Sequence, residues 1–125
     1  MFDKKGAECR QYVRYEVQNS IFITNRPKFD RIGWLTDISK GGVSFEYLAI
    51  QDYSAFTGNI NLDIFSSPKK YDLSNLPCQV IYDARVDVRK GFMKTIVTRR
   101  CGLVFGDISQ HQAVQLDVVL SQQLC

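Results

Sequence analysis

The sequence predicts an all-β domain of six short strands closed by one C-terminal helix, arranged as a small antiparallel barrel or sandwich. Three observations carry this expectation. Apolar and polar residues alternate in several runs, the period of two that marks a half-buried strand. Turn-forming residues fall between those runs at short intervals. Only the tail carries apolar residues at spacings of three and four, the helical period. A chain of 125 residues with 45% apolar and 23% charged residues suits one globular domain with one core, and disorder, collagen-like repeats and coiled coil are excluded.

The elements follow in order. Tyr15–Thr24, Arg31–Ile38 and Val43–Leu48 are rich in β-branched and aromatic residues. Asn25-Arg26-Pro27 separates the first two runs and Ser39–Gly42 the second and third. Ile60, Leu62 and Ile64 alternate with Asn61 and Asp63 as a fourth strand, bounded by Gly58-Asn59 and Ser66-Ser67-Pro68. From Gln79 to Arg89, Val80, Tyr82, Ala84, Val86 and Val88 take one face, with Asp83, Arg85, Asp87 and Arg89 on the other. Thr95–Phe105 is the sixth strand, with Val97, Cys101, Leu103 and Phe105 on one side, and Lys90-Gly91 is the hairpin tip before it. Ser109 and Gln112 make a capping box, in which each side chain reaches the other's free backbone amide. Ala113, Leu116, Leu120 and Leu124 then form one apolar stripe, suited to a barrel mouth or a neighbouring subunit. Residues 1–9 are charged and are expected to be a flexible arm ahead of a folded domain over 10–125.

Charge and reactive residues narrow the chemistry. The net charge of +3 is unevenly spread: residues 1–40 carry eight Lys/Arg against five Asp/Glu, residues 41–88 three against six, and residues 89–125 five against two. If the two basic ends meet, they make one positive face suited to an anion. The four cysteines, Cys9, Cys78, Cys101 and Cys125, contain no closely spaced pair of the kind that metal knuckles use. His111 is the single histidine and sits in a polar stretch, so catalytic devices built on a positioned base have little to assemble from, and no enzyme activity is expected. No apolar run approaches the ~18 residues of a transmembrane helix, and no apolar segment follows the charged N-terminus. Reduced thiols, a cytoplasmic location and no membrane insertion are the expectations, with no cofactor or metal.

Two short motifs stand out. Arg10 and Arg14 form an Arg-x-x-x-Arg spacing just before the first strand. In extended chain, residues four apart project to the same side about 13 Å from each other. A bend would aim both guanidinium forks into one space, and guanidinium grips phosphate bidentately and stacks on flat rings. A second copy, Arg85 and Arg89, is explained by strand alternation alone. The other motif is Asp37-Ile38-Ser39-Lys40-Gly41-Gly42, an Asp-x-Ser-x-x-Gly spacing at a strand end. A carboxylate such as Asp37 accepts from the N–H groups on guanine's Watson–Crick edge, a hydroxyl such as Ser39 can donate to phosphate, and a glycine such as Gly42 admits close backbone. A plain hairpin turn is the alternative reading of this motif. Asp72-Leu73-Ser74 and Asp107-Ile108-Ser109 carry the same Asp-x-Ser start and read as turn or cap chemistry.

Together, and in a chain of short strands closed by a helix, the two motifs resemble the PilZ domain family. The resemblance runs from Arg10 to the C-terminus, with Gly102-Leu103-Val104-Phe105 similar to the family's late strand. It implies a six-stranded antiparallel β-barrel, bacterial, that binds the second messenger cyclic di-GMP without catalysis. Arg10 and Arg14 would clamp phosphates and guanines from the arm, and Asp37, Ser39 and Gly42 would read a guanine edge on the barrel. Cys9, rather than an arginine, before the first clamp residue leans towards one bound molecule instead of a stacked pair. Ligand binding would order the arm and signal to a partner protein in motility, exopolysaccharide or pilus machinery. Two other readings stand beside it. One is an adaptor of the same fold that works through protein contacts alone. The other is a small barrel stacking single-stranded nucleic acid on Tyr12, Tyr15, Phe29 and Trp34, although the charge excess is modest for DNA or RNA binding.

Overall fold

The computed structural model describes residues 15–16 (as backbone), 21–29, 31–50, 55–66 and 72–123. The strands are β1 (Tyr15–Glu16), β2 (Ile21–Arg26), β3 (Ile32–Ile38), β4 (Gly42–Ile50), β5 (Asn59–Ser66), β6 (Asp72–Lys90) and β7 (Thr95–Phe105), followed by helix α1 (Gln110–Gln123). Six of them close a ring in the order β3-β2-β5-β6-β7-β4, with β4 returning to β3. Every pairing is antiparallel, so the architecture is the barrel and not the sandwich. The two-residue β1 is an addition to β3 outside this ring.

The period of two explains the core. Ile21 and Ile23 of β2, Val43, Phe45, Tyr47 and Ala49 of β4, and Leu62 and Ile64 of β5 all point inward. Cys101 and Leu103 of β7 join them as expected, and Phe105 packs against the same cluster. The helix supplies Leu116, Val119 and Leu120 to the core and so seals the barrel; of the expected stripe, Ala113 is partly buried and Leu124 lies outside the described residues. Its start is held by the predicted capping box: the Ser109 amide donates to Gln112 Oε1 at 2.8 Å and the Gln112 amide to Ser109 Oγ at 3.1 Å. Gln112 Nε2 also donates to the carbonyls of Ser74 and Asn75, fastening the helix to β6.

β6 departs most from expectation. It begins at Asp72, not Gln79, and includes both Asp72-Leu73-Ser74 and Pro77. Leu73 and Leu76 are buried three residues apart, which strict alternation forbids; Asn75, at a φ of 58°, absorbs the extra residue opposite the shift between Leu62 and Ile64. The Asn75 amide is taken up by Asp63, which also accepts from Arg26 Nε at 2.5 Å. A second shift, between Val80 and Tyr82, reverses the alternation beyond it. Tyr82 and Ala84, assigned to the apolar face from the sequence, are therefore exposed and Asp83 turns inward, until a further shift between Arg85 and Asp87 restores the alternation; Val86 and Val88 are exposed as well.

Candidate functional site

The Asp37–Gly42 motif spans the last two residues of β3, the turn after it and the first residue of β4. The Ser39 amide donates to the Gly42 carbonyl at 2.9 Å and closes the turn. Ser39 Oγ accepts from the amides of Gly41 and Gly42 at 3.1 and 3.2 Å, an arrangement that holds both glycine amides on one side. Ser39 is buried by this arrangement, while Lys40 projects at the tip. Gly42 has a packing reason for being glycine: a Cβ there would overlap the Leu103 carbonyl oxygen of β7. The Gly41 carbonyl accepts from the Phe105 amide at 2.9 Å, so the turn is anchored to β7 as well.

Asp37 owes its position to a bulge. Leu35 and Ile38 are both buried, and the register between β3 and β4 shifts between Leu35 and Asp37. Thr36 and Asp37 consequently lie together towards the outer surface, both partly exposed. Thr36 Oγ1 donates to the Ser44 carbonyl at 3.0 Å, which fixes the bulge. Asp37 stands opposite Ser44 on one side and Glu16 of β1 on the other. Because directly opposed residues share a face, the register defines a row across the outer wall: Asp37, Ser44, Gly102 and Tyr82. A Cβ on Gly102 would overlap the Tyr82 ring, which packs against this glycine. A neighbouring row on the same face holds Trp34, Glu46 and Arg100, with Arg100 Nη2 on Glu46 Oε2 at 2.6 Å. Trp34 and Tyr82 are both partly exposed and bring two flat rings to the surface that carries Asp37.

Arg10 and Arg14 lie outside the described residues. The first described backbone after them is β1, where Tyr15 pairs with Ile38 and Glu16 with Asp37. Phe29, at the far end of the barrel, carries the Arg26 guanidinium over its ring at 5.3 Å. Near it a cleft of about 270 Å³ is lined by Arg26, Lys28, Arg31 and Phe56, with the Arg31 guanidinium 4.2 Å from the Phe56 ring centre.

Sequence reasoning missed two features. Arg99 and Arg100 each have a carboxylate partner. Arg99 points inward and donates from Nε to Asp83 Oδ1 at 2.7 Å and from Nη2 to the Asp83 carbonyl at 2.9 Å. Asp83, only 1% exposed at its side chain, also accepts from the Tyr47 hydroxyl and, at 2.8 Å, from the Phe56 amide. Burial and this carboxylate together push the Tyr47 phenol well above its ordinary range. The signal was present in β7, because the parity that buries Val97 and Cys101 also turns Arg99 inward. Tyr82 is the second omission, and the glycine it crosses, Gly102, was its only trace.

No protein-family model and no curated protein sequence matches the chain. Two solved structures do. The PilZ domain of YcgR from Escherichia coli, solved with c-di-GMP, superposes with a TM-score of 0.68 at 18% identity, over 92% of this chain and 91% of that one. YcgR from Escherichia coli in complex with c-di-GMP superposes at 0.59 and 16% identity, over 90% of this chain and 45% of that one. Closed six-stranded ring, sealing helix and near-complete superposition agree: the chain has the fold of a PilZ domain.

Proposed function

We propose that this protein is a non-catalytic receptor for cyclic di-GMP, with Arg10 and Arg14 as clamp and the Asp37–Gly42 turn as the barrel-side reader. The observation that carries the reading is the pairing of β1 with β3. Arg14 is bonded to Tyr15, whose backbone is registered against Ile38, so its Cα is tethered about 3.8 Å from a residue that borders the motif. Arg10, five residues before Tyr15, is tethered within a reach of about 18 Å. Both arginines can therefore reach the turn without rearrangement of the barrel. A ligand with two phosphates and two guanines suits this set. Guanidinium groups meet the phosphates, the Asp37 carboxylate accepts from a guanine edge, and the Trp34 and Tyr82 rings offer stacking faces. Ser39 and Gly42 contribute by holding the turn. The fold neighbours, both solved with c-di-GMP, support the same ligand. Ordering of the arm on binding would create a surface for a partner protein.

The adaptor reading has one observation in its favour: Ser39 and Gly42 are both accounted for by turn geometry and the Leu103 contact without any ligand. Calorimetry separates the two. The receptor reading expects saturable heat when cyclic di-GMP is added to the full chain. Arg10→Ala combined with Arg14→Ala removes charge-assisted bonds of about 1.5–3 kcal/mol each, and affinity falls by at least about a hundredfold. Wild-type protein giving no heat, or a double variant that binds as tightly as wild type, would leave the adaptor.

A further inference from the structure

The end of the barrel opposite the Ser39–Gly42 turn has a character of its own. There β6 and β7 continue as a hairpin, with Val88 paired to Val97 and Lys90 to Thr95. The Gly91 amide donates to the Lys94 carbonyl at 2.8 Å and closes the tip. At the apex, Phe92 is 99% and Met93 82% exposed. Neither has packing to lose, so neither is there for the stability of the barrel. Immediately behind them stand Lys90 and Lys94, and further back Arg85 and Arg89, all exposed. Asp87 is the one acidic residue in the stretch 85–96, and it pairs with Arg89 at 3.4 Å. On the outer face of the same ladder, Ile50 and Ile96 oppose each other and are also exposed.

We propose that this hairpin tip docks the protein onto an anionic lipid bilayer, with Phe92 and Met93 entering the interface and the lysines and arginines behind them meeting lipid phosphates. The argument rests on the order of the chemistry along the hairpin and on its charge. From the apex inward come two large apolar side chains, then cations. A bilayer crossed from its acyl boundary outward presents the complementary sequence, apolar and then anionic. Strand rise of about 3.3 Å per residue sets Lys90 and Lys94 one or two residues behind the apex. That separation matches apolar groups reaching about 5–10 Å into the headgroup boundary while the ammonium groups stay among the phosphates. The tip is convex and narrow, so a protein partner would need a pocket cut to fit it, whereas a bilayer yields around it. Neither signal suffices alone: the apolar area is two side chains, and the cations are screened over a Debye length of about 8 Å. This is surface adsorption, distinct from a membrane span, and it stands independently of the nucleotide reading.

Vesicle co-sedimentation of the full chain tests it, using phosphatidylcholine alone and an equimolar mixture with phosphatidylglycerol. The protein is expected to sediment with the anionic vesicles and to stay in solution with the neutral ones. Replacing Lys90→Gln and Lys94→Gln lowers the vesicle partition coefficient about fivefold per lysine. Phe92→Ser with Met93→Ser, at positions where the fold has nothing at stake, lowers it at least about tenfold. Wild-type protein that ignores anionic vesicles overturns the proposal. So does a Phe92→Ser/Met93→Ser variant that sediments like wild type, since the tip is then not the point of contact. Sedimentation equilibrium gives a third outcome: wild-type dimers that the same variant converts to monomers would make the tip a contact between copies of this chain, and the lipid proposal fails.

Discussion

Arg99 and Arg100 are adjacent on β7, and each meets one carboxylate, yet they stand on opposite sides of the barrel wall. Arg99 reaches inward to Asp83, whose remaining oxygen is taken by the Tyr47 hydroxyl and the Phe56 amide. Arg100 reaches outward to Glu46, where both partners keep contact with water. The difference is one of solvent, not of geometry, since the two closest approaches are 2.7 and 2.6 Å. Water screens the outer pair and replaces either partner when it is lost. Inside, nothing replaces it, and the loss of one partner strands the other.

The largest effect should come from breaking the inner pair. Asp83→Asn leaves the Arg99 guanidinium, only 17% exposed, without its counter-charge and the Tyr47 and Phe56 donors without their carboxylate, and is expected to cost about 3–5 kcal/mol in denaturant unfolding. Next comes pH, which probes the inside without mutation. Burial pushes the thiols of Cys78 and Cys101 up to about 12. In the unfolded chain a thiol titrates near 9, so around and above that pH the unfolded state loses protons that the folded state retains. This stability is fully present below about pH 8 and falls as pH rises towards 12, by about 3 kcal/mol between about pH 8 and pH 10 for the two thiols together. Unfolding curves at the two pH values measure it, and the raised phenol of Tyr47 acts in the same direction at higher pH. The smallest effect belongs to the outer wall. Arg100→Gln should change stability by less than about 1 kcal/mol, and a loss as large as that of Asp83→Asn would erase the distinction.

The same wall explains what the sequence made legible. β4 was readable from its β-branched and aromatic content and β5 from its alternation, as was the helix start through Ser109 and Gln112, whereas the first expected strand, Tyr15–Thr24, holds both β1 and the beginning of β2. β6 was not readable in full, because Pro77 and the Ser74-Asn75 pair look like a turn while the strand runs through them. Nor does anything local announce the shift between Val80 and Tyr82, which is set by pairing with β7 and which decides that Asp83, not Tyr82, faces the core. In the candidate site, Asp37, Ser39 and Gly42 were singled out by spacing; Asp37 lies on β3, Ser39 in the turn that follows and Gly42 at the start of β4. The rings of Trp34 and Tyr82 beside them depend on cross-strand register, which a linear reading of residues does not contain. Arg10 and Arg14 fall outside the described residues, so the convergence of the two motifs stands as a proposal supported by β1.

Backbone amide shifts recorded during a titration with cyclic di-GMP test that convergence most directly. The account predicts that residues 10–16 and 37–42 shift together with one binding constant, while residues 88–96 of the hairpin stay unmoved. Shifts confined to one of the two motifs, or centred on the hairpin, would contradict it.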